Sequence, residues 1–420
     1  MGAGHGFSEI PKTTQFDWSE HSMTSVPATT PNWESIRKQM MLDPTVINLN
    51  TGSFGPSPRC VFDRATELRA RLAEEPMDFL VRQAGPLLWQ ARTDLANFLS
   101  ADPKRLVFTA NVSSSINTIA NSLTLTRPGD ILLTDHEYGA MHWCWDRYAQ
   151  RNGMTLRTFP LPVTTEDPEA IVSAAISAMS TKTRLLFFSH VLSPTGLVLP
   201  AKRLCEEARK RGIETVIDGA HAPAMIPLSL DDISCDFYGA NCHKWLLAPI
   251  GSGFLYFGRG NETRLQPTQV SWGWKVPSHQ PNERNLFGAT HRIYQFEFEG
   301  TRDPCAWLSV SEAIAFQQQI GWQHIRERNE SLVRYAHQRV GDVLGFVPWT
   351  PRHPQLHGFL TAFRLPAGIE AQVLRDYLWE KRIEVPIVER PDCLLLRIST
   401  HFYNTRDEID SLVDVLRVYL

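Results

Sequence analysis

The chain has 420 residues, of which 43% are hydrophobic and 21% are charged, and its formal net charge is −3. This length exceeds what one hydrophobic core usually holds, so we expect more than one domain. The 42 Lys and Arg residues are nearly balanced by 45 Asp and Glu residues. This balance predicts no basic face for nucleic acid, and no uncharged apolar run is long enough to span a membrane. The polar start of the chain lacks the apolar segment of a signal peptide, which favours a cytoplasmic protein without membrane partners.

The seven cysteines are scattered and form neither a C-x-x-C pair nor a Cys/His spacing suited to zinc. An odd number of cysteines in a large chain of this kind predicts reduced thiols that are mostly buried. We therefore expect no disulfides and no metal. The cysteines are Cys60, Cys144, Cys205, Cys235, Cys242, Cys305 and Cys393.

The predicted elements divide the chain into three parts. Residues 1–47 are predicted to form an arm and a helix, with the helix over 33–40. Residues 48–304 are predicted to form a large α/β domain with a mostly parallel sheet and helices on both faces, because strands and helices alternate. The predicted strands cover 46–49, 105–109, 130–134, 184–189, 214–218 and 253–257, and the predicted helices cover 58–74, 87–99, 168–179 and 201–211.

The last part, residues 305–420, is predicted to hold a long linking helix and a small α+β domain. The helix runs over 305–321 and restarts to 344. The small domain is predicted to have strands over 360–364, 383–387 and 393–398 and helices over 370–380 and 407–419. Residues 260–300 show little periodicity, with many aromatic residues and turn formers.

Two residues on neighbouring segments carry the first chemical signal. Asp218 ends a β-branched strand, and Lys244 follows the next apolar segment 26 residues later. Ligands of open α/β sheets bind at the carboxyl ends of the strands. A pyridoxal phosphate enzyme needs a lysine for the Schiff base and a carboxylate that keeps the pyridine nitrogen protonated. Either residue alone is a weak signal, since a strand-end Asp is more often a cap and most lysines are solvated.

Six phrases in order strengthen this signal: NLNTGSFG (48–55), DHEYGA (135–140), SPTGLVLP (193–200), NCHKW (241–245), FEGTRDP (298–304) and RISTHFYN (397–404). With them, residues 33–420 resemble the class V aminotransferase family of fold-type I pyridoxal phosphate enzymes. Within that family the chain is similar to the isopenicillin N epimerase-like group, which is related to cysteine desulfurases and cysteine lyases. The resemblance implies a three-layer fold-type I large domain with a small α+β C-terminal domain, a pyridoxal 5′-phosphate cofactor, and an amino acid substrate.

The resemblance also implies roles at the cofactor ring. Lys244 would be the Schiff-base lysine and the acid/base at the substrate α-carbon, and Asp218 would pair with the pyridinium nitrogen. His221 would donate to the phenolate oxygen, and Ser193 stands near that oxygen where relatives have asparagine. His136 would stack on the ring, with Tyr138 as the second candidate.

Other positions match phosphate and substrate contacts. The phosphate would lie at the start of a helix near 111–117, where hydroxyls and backbone N–H groups bind anions, although a plain N-cap is commoner. Thr301 matches a residue that reaches the phosphate of the neighbouring subunit, which implies a homodimer with shared active sites. Arg397 matches the arginine that binds the substrate α-carboxylate, as its planar guanidinium suits that role. The remaining implied contacts are Val112, Ser113, Ser114, Asn241 and His243 for the phosphate, and Asn50, Gly52 and Ser53 for the substrate.

Several reactions start with removal of the α-proton from an amino acid held by this cofactor. Epimerisation is favoured, with cysteine or cystine C–S lysis, desulfuration and transamination as alternatives, and a non-catalytic scaffold as another class. Cys393 is predicted to be a packed thiol, only four residues before Arg397, so persulfide chemistry is disfavoured. The group that returns a proton on the opposite face is left open between Tyr138, His142 and a water. Trp272, Gly273 and Trp274 are predicted to line the substrate entrance, with core packing as an equal alternative for the tryptophans.

Overall fold

A computed structural model describes residues 30–274 and 290–420 of the chain. Within this part the strands are β1 (Ile47–Asn48), β2 (Leu106–Thr109), β3 (Asp130–Thr134), β4 (Thr155–Phe159), β5 (Thr183–Ser189), β6 (Glu214–Asp218), β7 (Phe237–Asn241), β8 (Gly253–Phe257), β9 (Val347–Pro348), β10 (Leu360–Arg364), β11 (Ile383–Glu384), β12 (Ile387–Glu389) and β13 (Leu394–Ser399).

The α-helices of the same part are α1 (Trp33–Arg37), α2 (Arg59–Glu74), α3 (Pro76–Asp78), α4 (Ala84–Phe98), α5 (Val112–Ser122), α6 (Gly139–Asn152), α7 (Pro168–Ala178), α8 (Ala201–Lys210), α9 (Leu230–Ile233), α10 (His291–Glu297), α11 (Cys305–Leu308), α12 (Val310–Ile320), α13 (Trp322–Ala336), α14 (Ala371–Glu380) and α15 (Arg406–Tyr419). Short 3₁₀ turns cover Pro103–Arg105 and Trp272–Trp274, and π-helical turns cover Phe79–Gln83 and His337–Val343.

The larger sheet has seven strands among the described residues, in the order β2-β8-β7-β6-β5-β3-β4. The neighbours β3/β4, β3/β5, β5/β6 and β6/β7 pair in parallel, whereas β8 pairs antiparallel with both β2 and β7. Alternate residues of each strand enter different cores, as Ile217 packs on one face and Val216 on the other. Because both faces are buried under helices, these strands are apolar on both sides. The predicted mostly parallel α/β sheet is confirmed.

The smaller sheet is antiparallel and has the order β12-β13-β10-β9. Its core contains Phe363 of β10 and Leu396 of β13 beside Leu332 of α13, Leu374 of α14 and Leu412 of α15. Separately, β1 pairs in parallel with β11. This pairing brings the segment that leads into the turn at 50–53 against the C-terminal part of the chain.

Three predictions about elements are wrong in detail. The predicted strand 383–387 is two strands in different pairings, since β11 pairs with β1 and β12 with β13. The break falls at Pro386, which has no N–H to donate to a ladder. The predicted helix 305–321 is divided at Ser309, between α11 and α12. Strands β4 and β9 were not predicted, and β4 is half-exposed and lies at an edge of the sheet, so it lacks the apolar run of a central strand.

The remaining sequence expectations concern the cysteines, membrane spans, metal ligands, the N-terminal arm and the domain boundaries. Each of the seven cysteines is a free thiol. No helix in residues 30–274 or 290–420 is long and apolar enough to cross a membrane, and no group of three or more potential metal ligands occurs there. The arm predicted for the first 30 residues lies almost entirely outside the described residues. The domain boundaries at 47/48 and 304/305 stay a prediction.

Candidate active site

The site lies at one edge of the larger sheet. Strands β2, β3, β5, β6 and β7 run in the same direction, because parallel pairs connect four of them and β8 is antiparallel to both β2 and β7. Their carboxyl ends therefore meet at one edge, which is where open α/β sheets bind ligands. The residues that follow these ends include the start of α5, His136, Ser193, His221 and Lys244.

Three side chains that follow the carboxyl ends of β6 and β7 contact one another in the order Lys244, His221, Trp245. The Nζ atom of Lys244 lies 3.3 Å from Nε2 of His221. The indole N–H of Trp245 donates to Nδ1 of the same histidine at 3.2 Å. His221 and Trp245 are each only 1% exposed. Burial, together with the positive charges of Lys244 and Arg397, holds the pKa of His221 well below its usual value, so the imidazole is neutral.

Asp218 is buried and Lys244 is half-buried, and each shifts the pKa of the other by its charge. Burial raises the pKa of Asp218 to about 6, while the Ala220 N–H, 2.8 Å from its Oδ1 atom, and the charge of Lys244 oppose the rise. Burial and the nearby Arg397 cation lower the pKa of Lys244 to about 8, against the attraction of Asp218. An amine with a lowered pKa is easily deprotonated near neutral pH, which suits both nucleophilic attack and proton transfer.

Arg397 of β13 is a buried cation surrounded by neutral groups. One terminal nitrogen donates to the carbonyl and hydroxyl of Ser193 at 2.9 and 3.1 Å. The other donates to Asn50 Oδ1 at 3.2 Å and Ser53 Oγ at 3.0 Å. Arg397 is 6% exposed, and its Nε atom has no partner. Within the described residues it takes part in no ion pair, so the charge remains available for an anionic ligand.

The start of α5 is held against the end of β7. Asn111 caps the helix by accepting from the Ser114 N–H at 2.9 Å, and the Val112 N–H donates to Asn241 Oδ1, also at 2.9 Å. The Nδ1 atom of His243 lies 3.1 Å from the Ser252 carbonyl, which can only accept, so this nitrogen carries the proton. The contact between Val112 and Asn241 places the end of β7 at the start of α5, where the positive end of the helix dipole favours an anion.

His136 and Glu137 follow the carboxyl end of β3, at the same edge of the larger sheet. His136 is 5% exposed, its Nδ1 atom lies 2.7 Å from Asp135, and its Nε2 atom has no partner. Glu137 accepts from the Ser189 hydroxyl at 2.6 Å and the Thr134 hydroxyl at 2.6 Å. Burial raises the pKa of Glu137 to about 7 despite these bonds.

Some predicted residues lie elsewhere or on the surface. Thr301 is exposed, and no hydrogen bond of the described residues joins it to the other site residues. Tyr138 is 53% exposed, whereas His136 is buried. Trp272 is 80% and Trp274 36% exposed, so the core-packing alternative for these tryptophans is wrong.

Cys393 differs from its prediction. It is half-buried and not fully packed, and it lies in the turn before β13, beside a cavity of about 300 Å³. Burial and the Asp392 carboxylate raise the pKa of its thiol. Four residues of strand place it roughly 13 Å along the chain from Arg397. This position and thiol agree with the expectation of an unreactive cysteine.

Three residues at the site were not predicted. Glu137 lies next to the predicted His136, Trp245 next to the predicted Lys244, and Glu384 accepts from the Asn50 amide at 2.7 Å. Glu137 and Trp245 lie inside the phrases DHEYGA and NCHKW, and this position is the sequence signal that could have indicated them as site residues. Apart from Thr134, which lies three residues before Glu137, their partners are distant in sequence, so those contacts had no sequence signal.

Comparison with known proteins identifies the family. The sequence model described as aminotransferase class-V matches residues 54–412. The isopenicillin N epimerase of Streptomyces clavuligerus is 52% identical over 388 residues, which cover 92% of this chain and 98% of that protein. A structure of the cystine C–S lyase C-DES with its product cysteine persulfide has a TM-score of 0.78 at 24% identity, covering 89% of this chain and 97% of that one. A C-DES variant with glycine covalently linked to its pyridoxal phosphate cofactor has a TM-score of 0.77 at 24% identity, covering 92% and 99%.

The two structural likenesses and the mostly parallel α/β architecture described above show the fold-type I fold. The family match covers most of the chain, and the relative at 52% identity spans nearly all of it. This protein therefore belongs to the class V aminotransferase family and is a pyridoxal phosphate-dependent enzyme.

Proposed function

We propose that this enzyme epimerises the α-carbon of an amino acid whose α-carboxylate is bound by Arg397, with isopenicillin N as the first substrate to test. The observation that carries the proposal is the buried, anion-free guanidinium of Arg397, close enough to the Lys244 amine that its charge lowers the pKa of that amine. A planar guanidinium binds a carboxylate through two parallel hydrogen bonds, and a substrate carboxylate would take over donors that now serve neutral hydroxyl, amide and carbonyl oxygens. The epimerase named at 52% identity supports the choice of reaction.

The residues at the sheet edge fit pyridoxal phosphate. When bound, this cofactor supplies an electron-withdrawing ring that stabilises negative charge at the substrate α-carbon. Lys244 would hold it covalently, and the buried carboxylate of Asp218 would hold the proton on its ring nitrogen. The unpartnered Nε2 atom of His136 lies in a buried position that a bound ring would cover. Ser113, Ser114, Asn241 and His243 would hold the phosphate at the start of α5.

The Val112 N–H is a weaker phosphate contact in this proposal, because it already donates to Asn241. Ser193 is also reassigned. Its carbonyl and hydroxyl both accept from Arg397, so we infer that Ser193 orients the guanidinium. Asn50, Gly52 and Ser53 would complete the carboxylate site on the opposite side of Arg397.

Lys244 would remove the α-proton on its own side of the substrate. Its pKa, lowered to about 8, leaves a usable fraction of free amine near neutral pH. Epimerisation also requires a proton donor on the other face. Tyr138, His142 and a water are the candidates, and Tyr138 is close enough to oppose the lowering of the Arg397 pKa that burial causes.

We also propose a homodimer with shared active sites. Phe54, between Ser53 and the Gly55 backbone packed on Lys244, is 62% exposed, and Ile250 in the loop before β8 is 69% exposed. Large apolar side chains exposed beside a site are typical of a protein interface. In this arrangement the exposed Thr301 would reach the phosphate held by the partner. A cytoplasmic location is likewise proposed, and the seven free thiols support it.

The test is a product panel with the purified, cofactor-loaded enzyme in deuterium oxide. Incubation with isopenicillin N should give the epimer with a D side-chain centre and deuterium at that α-carbon, measured by chiral chromatography and NMR. Lys244→Ala should give neither product. Pyruvate, ammonia and cysteine persulfide from cystine, without any epimer, would replace the proposal with C–S lysis. A keto acid formed in step with cofactor amination would point to transamination.

A further inference from the structure

The indole of Trp245 determines which nitrogen of His221 carries the proton. An indole N–H can only donate, so the nitrogen that it meets at 3.2 Å must be an acceptor. That nitrogen is Nδ1. Because His221 is neutral, its single ring proton must then be on Nε2, the atom 3.3 Å from Lys244 Nζ.

The position of this proton affects which protonation state of Lys244 is favoured. An Nε2–H donor aimed at the lysine nitrogen stabilises the uncharged amine, which has a lone pair to accept it. It repels the ammonium form, which offers only protons. The opposite tautomer would present a lone pair to Lys244 and stabilise the ammonium. The other charged groups that face the lysine are Asp218, which favours the ammonium, and Arg397, which disfavours it.

The packing of Trp245 keeps this geometry fixed. Its ring stacks on His401 and meets Phe359 in a T-shaped contact, with centroids 6.0 and 6.2 Å away. Its backbone carbonyl accepts from the Gln317 amide at 3.0 Å and lies 3.0 Å from Nε2 of His401. Burial lowers the pKa of His401 to about 4, so it adds no charge. A buried ring packed against Phe359 and His401 and held at its backbone cannot easily turn its N–H away from His221.

We propose that Trp245 is a positioning residue that locks His221 as the Nε2–H tautomer, so that His221 presents a hydrogen-bond donor to the Lys244 amine and to the cofactor oxygen beside it. The proposal rests on the proposed function only for the role of Lys244. It concerns the protein without cofactor as much as the loaded enzyme, so it can fail while the proposed function stands.

The first test observes the tautomer directly. The cofactor-free wild type with ¹⁵N-labelled histidine is studied by NMR, and His221→Gln identifies the resonances of His221. We expect an unprotonated Nδ1 and a protonated Nε2. A protonated Nδ1, or rapid exchange between the two tautomers, would overturn the proposal whether or not any Trp245 variant folds.

The second test measures Lys244 with Trp245→Phe, which keeps an aromatic ring and removes the N–H. Pulse acetylation of cofactor-free protein between about pH 6 and pH 10, read by mass spectrometry of the peptide that holds Lys244, gives its pKa. Loss of the lock should raise that pKa by about half a unit to one unit, the effect expected from one neutral hydrogen bond.

Trp307→Phe is the matched control. Trp307 is 2% exposed, and its N–H donates only to the carbonyls of Thr109 and Gly251 at 3.0 and 3.1 Å. The Arg302 guanidinium stacks on its ring, a contact that phenylalanine can keep. Both variants should lose some thermal stability, but only Trp245→Phe should change the Lys244 profile. Equal Lys244 profiles in wild type and folded Trp245→Phe would show that Trp245 only packs.

Discussion

Arg397 and Arg92 are both buried arginines, but their partners differ in charge, and so do the roles of the two residues. Arg92 is fully buried and pairs with Glu297, whose other oxygen accepts from the Phe108 N–H at 2.7 Å. Its charge is neutralised inside the fold, which makes it a structural cation. Arg397 has only amide, hydroxyl and carbonyl partners among the described residues. Its charge is neutralised only when an anion binds.

Arg397→Ala should raise KM for an amino acid substrate steeply, because a desolvated charge pair is lost. A loss of about 2–5 kcal/mol corresponds to roughly 30- to 4,000-fold in binding. Arg397→Lys should recover only part of this, since an ammonium cannot make two parallel bonds to a carboxylate. Steady-state kinetics and the visible spectrum of the bound cofactor measure the two effects separately.

Arg364→Ala is the control for that experiment, because Arg364 is exposed at the end of β10. It should leave KM unchanged. Wild-type KM in Arg397→Ala would contradict the carboxylate site. Loss of the cofactor spectrum would show instead that Arg397 supports the fold of the pocket.

Glu137 should make the protein less stable as pH rises. Its folded pKa of about 7 is above the ordinary value of 4.5 because the buried carboxylate is costly. Below about pH 4.5 both the folded and unfolded states hold the proton, whereas between about pH 4.5 and 7 only the folded state does. Stability is therefore lost over this window, by an amount on the order of 1–3 kcal/mol.

Glu137→Gln removes the ionisable group and keeps the shape, with its oxygen facing Ser189 and its amide facing Thr134. The change in melting temperature between about pH 5 and pH 7.5 should thus be smaller in the variant than in wild type. Differential scanning calorimetry checks it. Parallel pH profiles would mean that Glu137 does not titrate in this range.

At the level of elements, the turn over 193–196 connects the two sheets. Ser193 accepts from Arg397 of β13, and the turn lies against the start of β10. Gly196 has a φ of +74°, and a Cβ there would lie 2.4 Å from the carbonyl oxygen of Leu360. The turn thus needs glycine both for its backbone conformation and for the close approach of β10.

Gly196→Ala should destabilise the protein by about 2–5 kcal/mol, from the left-handed conformation and from the clash together. Gly153→Ala isolates the first contribution. Gly153 ends α6 with a φ of +63° and open space around it, so it should lose only about 1–2 kcal/mol. Equal losses in chemical denaturation would mean that β10 moves aside without cost.

At the level of the whole molecule, exposed apolar side chains distinguish one part of the surface. Ile250 and Phe54 are large, exposed and close in sequence to Gly251 and Ser53 of the site region. Isolated exposed apolar residues are ordinary, and Val418 on α15 is also 80% exposed. The proposed dimer places the first two in an interface and leaves Val418 in water.

Ile250→Asp should therefore weaken the dimer by at least about tenfold, since a charge in an apolar interface is poorly solvated. Val418→Asp should have no effect on assembly. Sedimentation equilibrium over a range of protein concentrations measures both. A cofactor-loaded wild type that sediments as a monomer would refute the shared site altogether.

The sequence by itself determined the order of the elements and the family. β-branched runs and turn residues placed β3, β6, β8 and β10 at their observed bounds, because central strands are apolar throughout. The phrases that contain Lys244 and Arg397, and the β-branched strand that ends at Asp218, indicated the main site residues, since a local motif can be recognised without knowledge of the fold. A local sequence pattern could not predict edge strands such as β4 or the break at Pro386.

Only the tertiary structure decided which side chains meet. Trp245 and His221, or Arg397 and Ser193, are separated by 24 and 204 positions and come together at the sheet edge. No local periodicity encodes such contacts, since they depend on the register and direction of several strands at once. Protonation states also depend on the tertiary structure. The neutral His221, the raised pKa of Glu137 and the uncompensated charge of Arg397 all arise from burial, which tertiary packing creates.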